Sequence, residues 1–228
     1  MKKSTPSNQS TPNPDPAGVL QRSRPLSREF FNRAPREVAR ELLGKLLIRR
    51  QGRRILAGRV VETEAYMGVT DAAAHSAAGI TSRNAVLFGP PGHAYVYLIY
   101  GFHYCLNVSC MPKGDAGCVL FRALEPIAGL DEMARYRHLV LPAAPRPSQL
   151  RVLASGPGRM SQALAISRLR DNGKDMTNPK KSDLWLADDG FETGRVVVTP
   201  RIGITKAKDK MLRYVIAGNH FVSGKELA

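Results

Sequence analysis

Cysteine is scarce in this 228-residue chain, and no apolar run is longer than a strand. The three cysteines, Cys105, Cys110 and Cys118, are odd in number and match no zinc-ligand spacing, which argues against a disulfide framework and against a zinc site. They read as small apolar residues in a reducing compartment. Strand-sized apolar runs exclude a transmembrane helix. Lys2 and Lys3 are not followed by the apolar stretch of a secretory leader, so a cytoplasmic location is expected. Acidic residues are also in short supply: 19 Asp and Glu against 34 Lys and Arg leave a net charge of +15. So large a surplus repels itself without a polyanion beside it, and counterion release makes nucleic acid the expected partner. The chain has no P-loop and no dinucleotide-binding glycine fingerprint. It also lacks a Gly-x-Ser-x-Gly elbow, and its histidines are too scattered for a tight metal motif.

What is present suits one large domain. Residues 1–25 are rich in Ser, Thr, Asn and Pro, bury almost nothing, and are expected to form a disordered tail ahead of a folded domain at 26–228. Pro35 sits well in a first helical turn, and Val38, Ala39, Leu42 and Leu43 make one apolar stripe that ends at Gly44. Strand 46–49 and strand 55–66 form a hairpin. Strands are expected at 93–100, 104–110 and 118–124, and a helix at 129–139. After a Pro-rich loop at 141–147, a second helix opens at 155. Short strands near 184–186, 196–199 and 212–217 complete a sheet, with Trp185 in the core.

Residues 61–107 concentrate the chemistry. Strand alternation places Val61, Thr63 and Ala65 on one face and Glu62, Glu64 and Tyr66 on the other. His75 lies in a polar connection. Tyr95, Tyr97, Tyr100 and Tyr104 follow in a hairpin whose tip is at Tyr100-Gly101, where an aromatic lacks cross-strand cover. Asn107 shares a face with Cys105 and Ser109 and would reach the same cavity as Tyr97. Arg122 interrupts an apolar strand and needs a carboxylate partner, for which Glu64 is the candidate. Ser155, Gly156, Gly158 and Arg159 open a helix with free N–H groups and a cation, a phosphate-binding arrangement that Arg168 and Arg170 extend.

An arginine-oriented carboxylate deprotonates an attacking water, tyrosines sandwich a planar ring, and a basic surface holds a phosphate backbone. Three readings fit: hydrolysis at a sugar carbon bearing a flipped-out base, a non-catalytic nucleic-acid module, or a carbohydrate glycosidase using Glu62 and Glu64. Carboxylates at i and i+2 of a strand lie roughly 6.5–7 Å apart, at the lower edge of the inverting range. The positive charge argues against a neutral sugar substrate. Alternation alone does not separate Glu62 from Glu64.

The segments VETEAY, AAAHS, YVYLIYGFHYCLN, VLFRALEP and SGPGRMSQALAI, in this order, resemble the alkyladenine (3-methyladenine) DNA glycosylase family of the human and bacterial single-domain type. The similarity covers residues 26–222. It implies an α+β single domain with a curved, mainly antiparallel sheet, flanking helices and a projecting hairpin, akin to the C-terminal domain of formyltransferases. It also implies a monofunctional glycosylase of base excision repair that needs no cofactor or metal. Such an enzyme acts as a monomer, at the nucleoid, on double-stranded DNA with damaged purines: 3-methyladenine, 7-methylguanine, hypoxanthine or ethenoadenine. By resemblance Glu64 is the base that activates water and Arg122 helps hold that water. Tyr66, His75, Tyr97 and Asn107 line the base pocket, Tyr100 is the intercalating wedge, and Ser155, Gly156, Gly158 and Arg159 hold phosphate. The FGPPGH turn and the His103-Tyr104 pair depart from the human-type pattern at a rim expected to touch DNA.

Overall fold

A computed structural model describes residues 15–224. Its helices are α1 (Pro16–Arg22), α2 (Arg28–Phe31), α3 (Pro35–Glu41), α4 (Leu130–Tyr136), α5 (Pro147–Ala154), α6 (Pro157–Ala163) and α7 (Arg168–Asp171). The strands are β1 (Arg24–Pro25), β2 (Leu46–Gln51), β3 (Arg54–Tyr66), β4 (Ala94–Ile99), β5 (His103–Cys110), β6 (Gly117–Ala128), β7 (Leu184–Asp188), β8 (Val196–Pro200) and β9 (Met211–Ile216). Residues 1–14 of the expected tail lie outside the described residues. From Asp15 onward the chain departs from that expectation. The Asp15 carboxylate accepts from the N–H groups of Ala17 and Gly18, Pro16 sets the first turn, and Val19 is buried in a small cluster with Leu46 and Ile48. A local cap and one buried apolar residue suffice to order α1, and β1 then pairs with β7.

The strands form one antiparallel sheet in the order β1-β7-β2-β3-β6-β5-β4. This is the α+β architecture expected from the sequence. β3, thirteen residues long, is its spine. Its first half pairs with β2 and its second half with β9, which in turn carries β8, while β6 runs along its other edge. The middle of β3 is therefore covered on both edges and fully buried.

Val38 and Ala39 of α3, with Leu42 at its C-cap, join Val60, Val61, Ala65 and Phe121 in the main core. The Thr63 hydroxyl donates to the Ala39 carbonyl at 2.8 Å, which satisfies a polar group that the strand buries on this side. Helices α4, α5 and α6 pack on one another and on β3, β5 and β6. Helix α5 falls where only a loop and a helix start were expected. Pro147 occupies its first position and the Gln149 side chain accepts from the Arg146 N–H. Trp185 is only partly buried, packed on the smaller cluster with Arg50 5.6 Å from its ring centre. Among the described residues, no helix is long and apolar enough to cross a membrane.

Candidate active site

Glu62, Glu64 and Tyr66 project from the face of β3 opposite Thr63, as alternation requires. Neither carboxylate is solvated: both are fully buried. Glu64 Oε1 accepts from the Ile202 N–H at 2.7 Å and lies 3.1 Å from Arg122 Nη1. The Tyr66 hydroxyl donates to Glu64 Oε2 at 3.0 Å. Glu62 is engaged more heavily. Its Oε1 accepts from Arg122 Nε and Arg213 Nε, both at 2.7 Å, and from the Ser223 hydroxyl at 2.9 Å. Its Oε2 accepts from the Ser223 N–H at 2.6 Å. The two carboxylates thus titrate in opposite directions. Burial raises the Glu64 carboxyl above the usual range, and Arg122, Ile202 and Tyr66 only partly oppose it. Burial would raise Glu62 as well, but Arg122, Arg213 and the Ser223 N–H outweigh it and hold Glu62 low.

Arg122 therefore pairs with both acids rather than with Glu64 alone. The reach comes from paired irregularities in the β3–β6 ladder. Val60 faces Leu124, Glu62 faces Ala123, and Thr63 faces Phe121, so Val61 and then Arg122 are each an extra residue. Bulges of this kind turn a strand locally and re-aim a side chain. Ala123 also bridges to Ser155, and the Arg122 carbonyl accepts from the Gly156 N–H at 2.9 Å. The backbone at the bulge is thereby tied to the turn before α6.

Four partners of the two acids, Tyr66, Arg122, Ile202 and Ser223, line a cavity of about 570 Å³, inside the range of about 300–1,000 Å³ usual for small-molecule sites, with the carboxylates buried behind them. The register of β4 with β5 sets Tyr97 opposite Cys105 and Tyr95 opposite Asn107, and all four line it. Cys118, Leu120 and Arg122 follow on β6, with Tyr66 from β3 and His75 from a short 3-10 turn. His75 and Tyr97 meet edge to face at 4.5 Å between centroids. His75 Nδ1 lies 2.9 Å from the Tyr95 hydroxyl. Burial, then the nearby Arg83, depress the His75 pKa, so its ring is neutral at pH 7. The Asn107 amide donates to the Tyr95 carbonyl at 3.2 Å, and its Oδ1 faces the Cys118 thiol at 3.7 Å. Burial pushes the Tyr95 hydroxyl up to about 12 and the Cys118 thiol up to about 12, so both are protonated.

Tyr100 stands at the cavity rim, at the tip of the β4–β5 hairpin, and is 74% exposed. Its φ is +54° and that of Gly101 is +78°, so both stand in the left-handed region within the three-residue loop that joins Ile99 to His103. A bulky residue in that region is a true outlier. Phe102 beside it is 72% exposed. Across the rim lie residues 155–159. Here the free N–H groups expected from the sequence are fewer. The N–H of Ser155 goes to the Arg151 carbonyl, that of Gly156 goes to Arg122, and Pro157 has none. Only Gly158, Arg159 and the Arg159 guanidinium are left to face a ligand.

Several site residues were not singled out from the sequence. Tyr95 carried a usable signal, its alternation with Tyr97. Arg213 carried another, a cation in the apolar strand 212–216, the same anomaly that marked Arg122. Arg83, Arg201, Ile202 and Ser223 carried none. Arg201 forms a fully buried ion pair with Asp71, 2.9 Å from Nη2 to Oδ1, and its guanidinium carbon sits 4.7 Å from the Tyr66 ring centre. It thus anchors the β8–β9 connection that brings Ile202 to Glu64.

Residues 29–220 match the profile of the methylpurine-DNA glycosylase family. A relative from Koribacter versatilis is 65% identical over 210 residues, covering 92% of this chain and 98% of its own length. One from Alkaliphilus oremlandii is 40% identical over 204 residues, covering 88% and 99%. One from Methanocella arvoryzae is 43% identical over 188 residues, covering 82% and 88%. All three are provisionally named as 3-methyladenine DNA glycosylases. The chain belongs to the methylpurine-DNA glycosylase family and is an enzyme that hydrolyses N-glycosyl bonds in DNA.

Proposed function

We propose that this enzyme flips an alkylated or deaminated purine out of duplex DNA and hydrolyses its N-glycosidic bond with a water activated by Glu64. The observation that carries the reading is the setting of Glu64. It is a fully buried carboxylate held by Arg122, Ile202 and Tyr66, three residues that line an aromatic cavity whose rim bears an exposed hairpin tyrosine. Ionised Glu64 takes a proton from water as the water attacks C1′, while Arg122 helps hold that water. The sugar passes through an oxocarbenium-like state, and the base leaves.

Tyr66 and Tyr97 pack on the extruded ring, and Arg201 stiffens Tyr66 from one side. Because Tyr95 occupies His75 Nδ1, the neutral imidazole has Nε2 left for a purine edge. Asn107, fixed by Tyr95 and Cys118, screens purine substituents. Tyr100 enters the base stack as the nucleotide leaves it, and Gly158 and Arg159 take a backbone phosphate. No lysine is among the residues lining the cavity, which favours attack by water and an abasic product with an intact backbone. One chain supplies every part, so the enzyme acts as a monomer. A 3- or 7-alkylated purine is cationic and leaves readily, whereas hypoxanthine or ethenoadenine is neutral and needs more assistance at the base.

The test is chromatography of bases freed from duplexes carrying methylated purines, hypoxanthine or ethenoadenine. Free base with an uncut strand is expected, most rapidly from the methylated duplex. Strand cleavage without alkali, or no release from any of the three, would overturn the reading.

The rim is also testable. A Cβ on Gly158 would lie 2.9 Å from His103 Cγ, beside the tip loop of the hairpin. Overpacking by a methyl costs about 1–3 kcal/mol, taken up here by moving the hairpin rather than the core. Gly158→Ala is expected to weaken duplex binding by about tenfold, the equivalent of about 1.4 kcal/mol, as read by fluorescence anisotropy.

A further inference from the structure

Glu62 and Glu64 lean on a single guanidinium. Arg122 gives its Nε to Glu62 and its Nη1 to Glu64, so the two acids compete for one positive charge. Arg213 of β9 lies directly across the ladder from Glu64, yet its side chain turns away to Glu62. Every nitrogen of that guanidinium is engaged. Nε goes to Glu62 Oε1, Nη1 to the Thr199 hydroxyl at 3.1 Å, and Nη2 to the Ser223 carbonyl at 3.1 Å. With two ionised carboxylates and two guanidiniums, all buried, the quartet is electrically balanced.

We infer that Arg213 is a positioning residue for the hydrolysis: it neutralises Glu62 and so leaves the charge of Arg122 to Glu64. The inference rests on the reading of Glu64 as the base. Arg213 touches neither the cavity nor the reacting atoms and acts through Glu62 and Arg122. Ser223 is its lever on the other side. The strap at residues 221–224 gives Glu62 two donors and sets the Ser223 hydroxyl 3.5 Å from Arg122 Nη2.

Remove Arg213, and two carboxylates share one cation. The pair then takes up a proton more readily. Glu62 keeps both Ser223 donors, so the proton goes to Glu64, and a protonated Glu64 does not activate water. The charged and titratable groups facing Glu64 are Glu62 and Tyr66 on β3, Arg122 on β6, Cys105 on β5 and Arg201 in the β8–β9 connection. The Ile202 N–H adds a fixed donor. Only Arg122 supplies a direct positive contact, so its division between the two acids governs the outcome.

The measurement is the pH profile of single-turnover base release from a methylated duplex. The leaving base there is already cationic and needs no general acid, so the acidic limb reports the base. Arg213→Met is expected to move that limb up by about one pH unit. Arg213→Lys keeps the charge and leaves the limb near its original position. Glu62→Gln frees Arg122 for Glu64 and moves the limb down. Combining Glu62→Gln with Arg213→Met restores the balance and brings the limb back. A rate lowered equally at every pH by Arg213→Met would overturn the inference, as would an upward limb for Glu62→Gln. If Arg213→Met does not fold, Glu62→Gln decides, and an unmoved limb overturns the proposal. Glu64→Gln separates the two levels. If it releases base at the normal rate, the catalytic reading fails. If it is inactive while the limbs stay in place, only the role of Arg213 fails.

Discussion

Glu64→Gln is expected to lower single-turnover base release by about 10³-fold, within the range general-base groups supply, while duplex affinity is retained. The substitution keeps the shape of the side chain and a partner for Ile202 but removes the ability to accept a proton from water. The sign of its effect on stability is opposite. Burial raises the Glu64 carboxyl above its value in the unfolded chain. A carboxyl raised in this way contributes stability that is present below the unfolded pKa and lost as pH rises through the folded pKa. At pH 7 the ionised group therefore burdens the fold, and glutamine does not. Thermal melts at pH 7 should show the variant no less stable than the native enzyme, with any advantage shrinking as pH falls toward the carboxylate range. On the proposed mechanism catalysis runs the other way: it needs the ionised form and is expected to fade as pH drops through the raised pKa. A site whose charge costs stability and carries the rate is the expected trade of an active site. Equal release by the Gln variant would remove Glu64 from the mechanism, and a much lower melting temperature would recast it as structural.

The sequence made the frame of this site readable and hid its selectivity. The period-two alternation of β3 put Glu62, Glu64 and Tyr66 on one face because a strand covered on both edges obeys its pleat. Tyr97 and Asn107 line the same cavity from β4 and β5 for the same reason. Helix α3 was legible from its stripe and from Pro35. Helix α5 was missed because Pro147 looks like the end of a Pro-rich loop, although it is also a favoured first residue of a helix. Helix α1 was missed because a polar composition says little about a single Asp cap and one buried valine.

What distinguishes the two acids was beyond any local reading. Alternation treats Glu62 and Glu64 alike. The difference is that Arg213 and Ser223 saturate Glu62, while Glu64 adds only the Ile202 N–H to its neighbour Tyr66 and the shared Arg122, and Arg213, Ser223 and Ile202 all come from far along the chain. The bulges at Val61 and Arg122 have no residue signature either, since neither position is glycine. Their cause is tertiary, in the bridge from Ala123 to Ser155 and the hydrogen bond from Gly156 to Arg122. The glycine and proline at 156 and 157 suggested a phosphate site. Much of that turn's hydrogen-bonding capacity instead fixes the strand that carries Arg122.

Tyr100→Gly is expected to slow base release from duplex DNA by about 10²-fold, since extrusion costs a few kcal/mol that a wedge helps to offset. The same variant should act on single-stranded substrate at close to the native rate, because a base there is already free to leave its stack. The backbone supplies the argument. Tyr100 holds φ at +54° in the three-residue loop at the hairpin tip, and it keeps its ring in solvent. A non-glycine residue pays about 1–2 kcal/mol for that conformation. Nothing in the fold repays the cost, as the ring packs on no core cluster. Glycine there relaxes the turn, so the melting temperature should hold or rise as duplex activity falls. Strain retained at a solvent-exposed aromatic points to a role outside the folded chain, and the ratio of duplex to single-strand rates measures it. If both substrates slow equally, Tyr100 acts on the chemistry from the cavity rim. If neither slows, the exposed Phe102 beside it becomes the wedge.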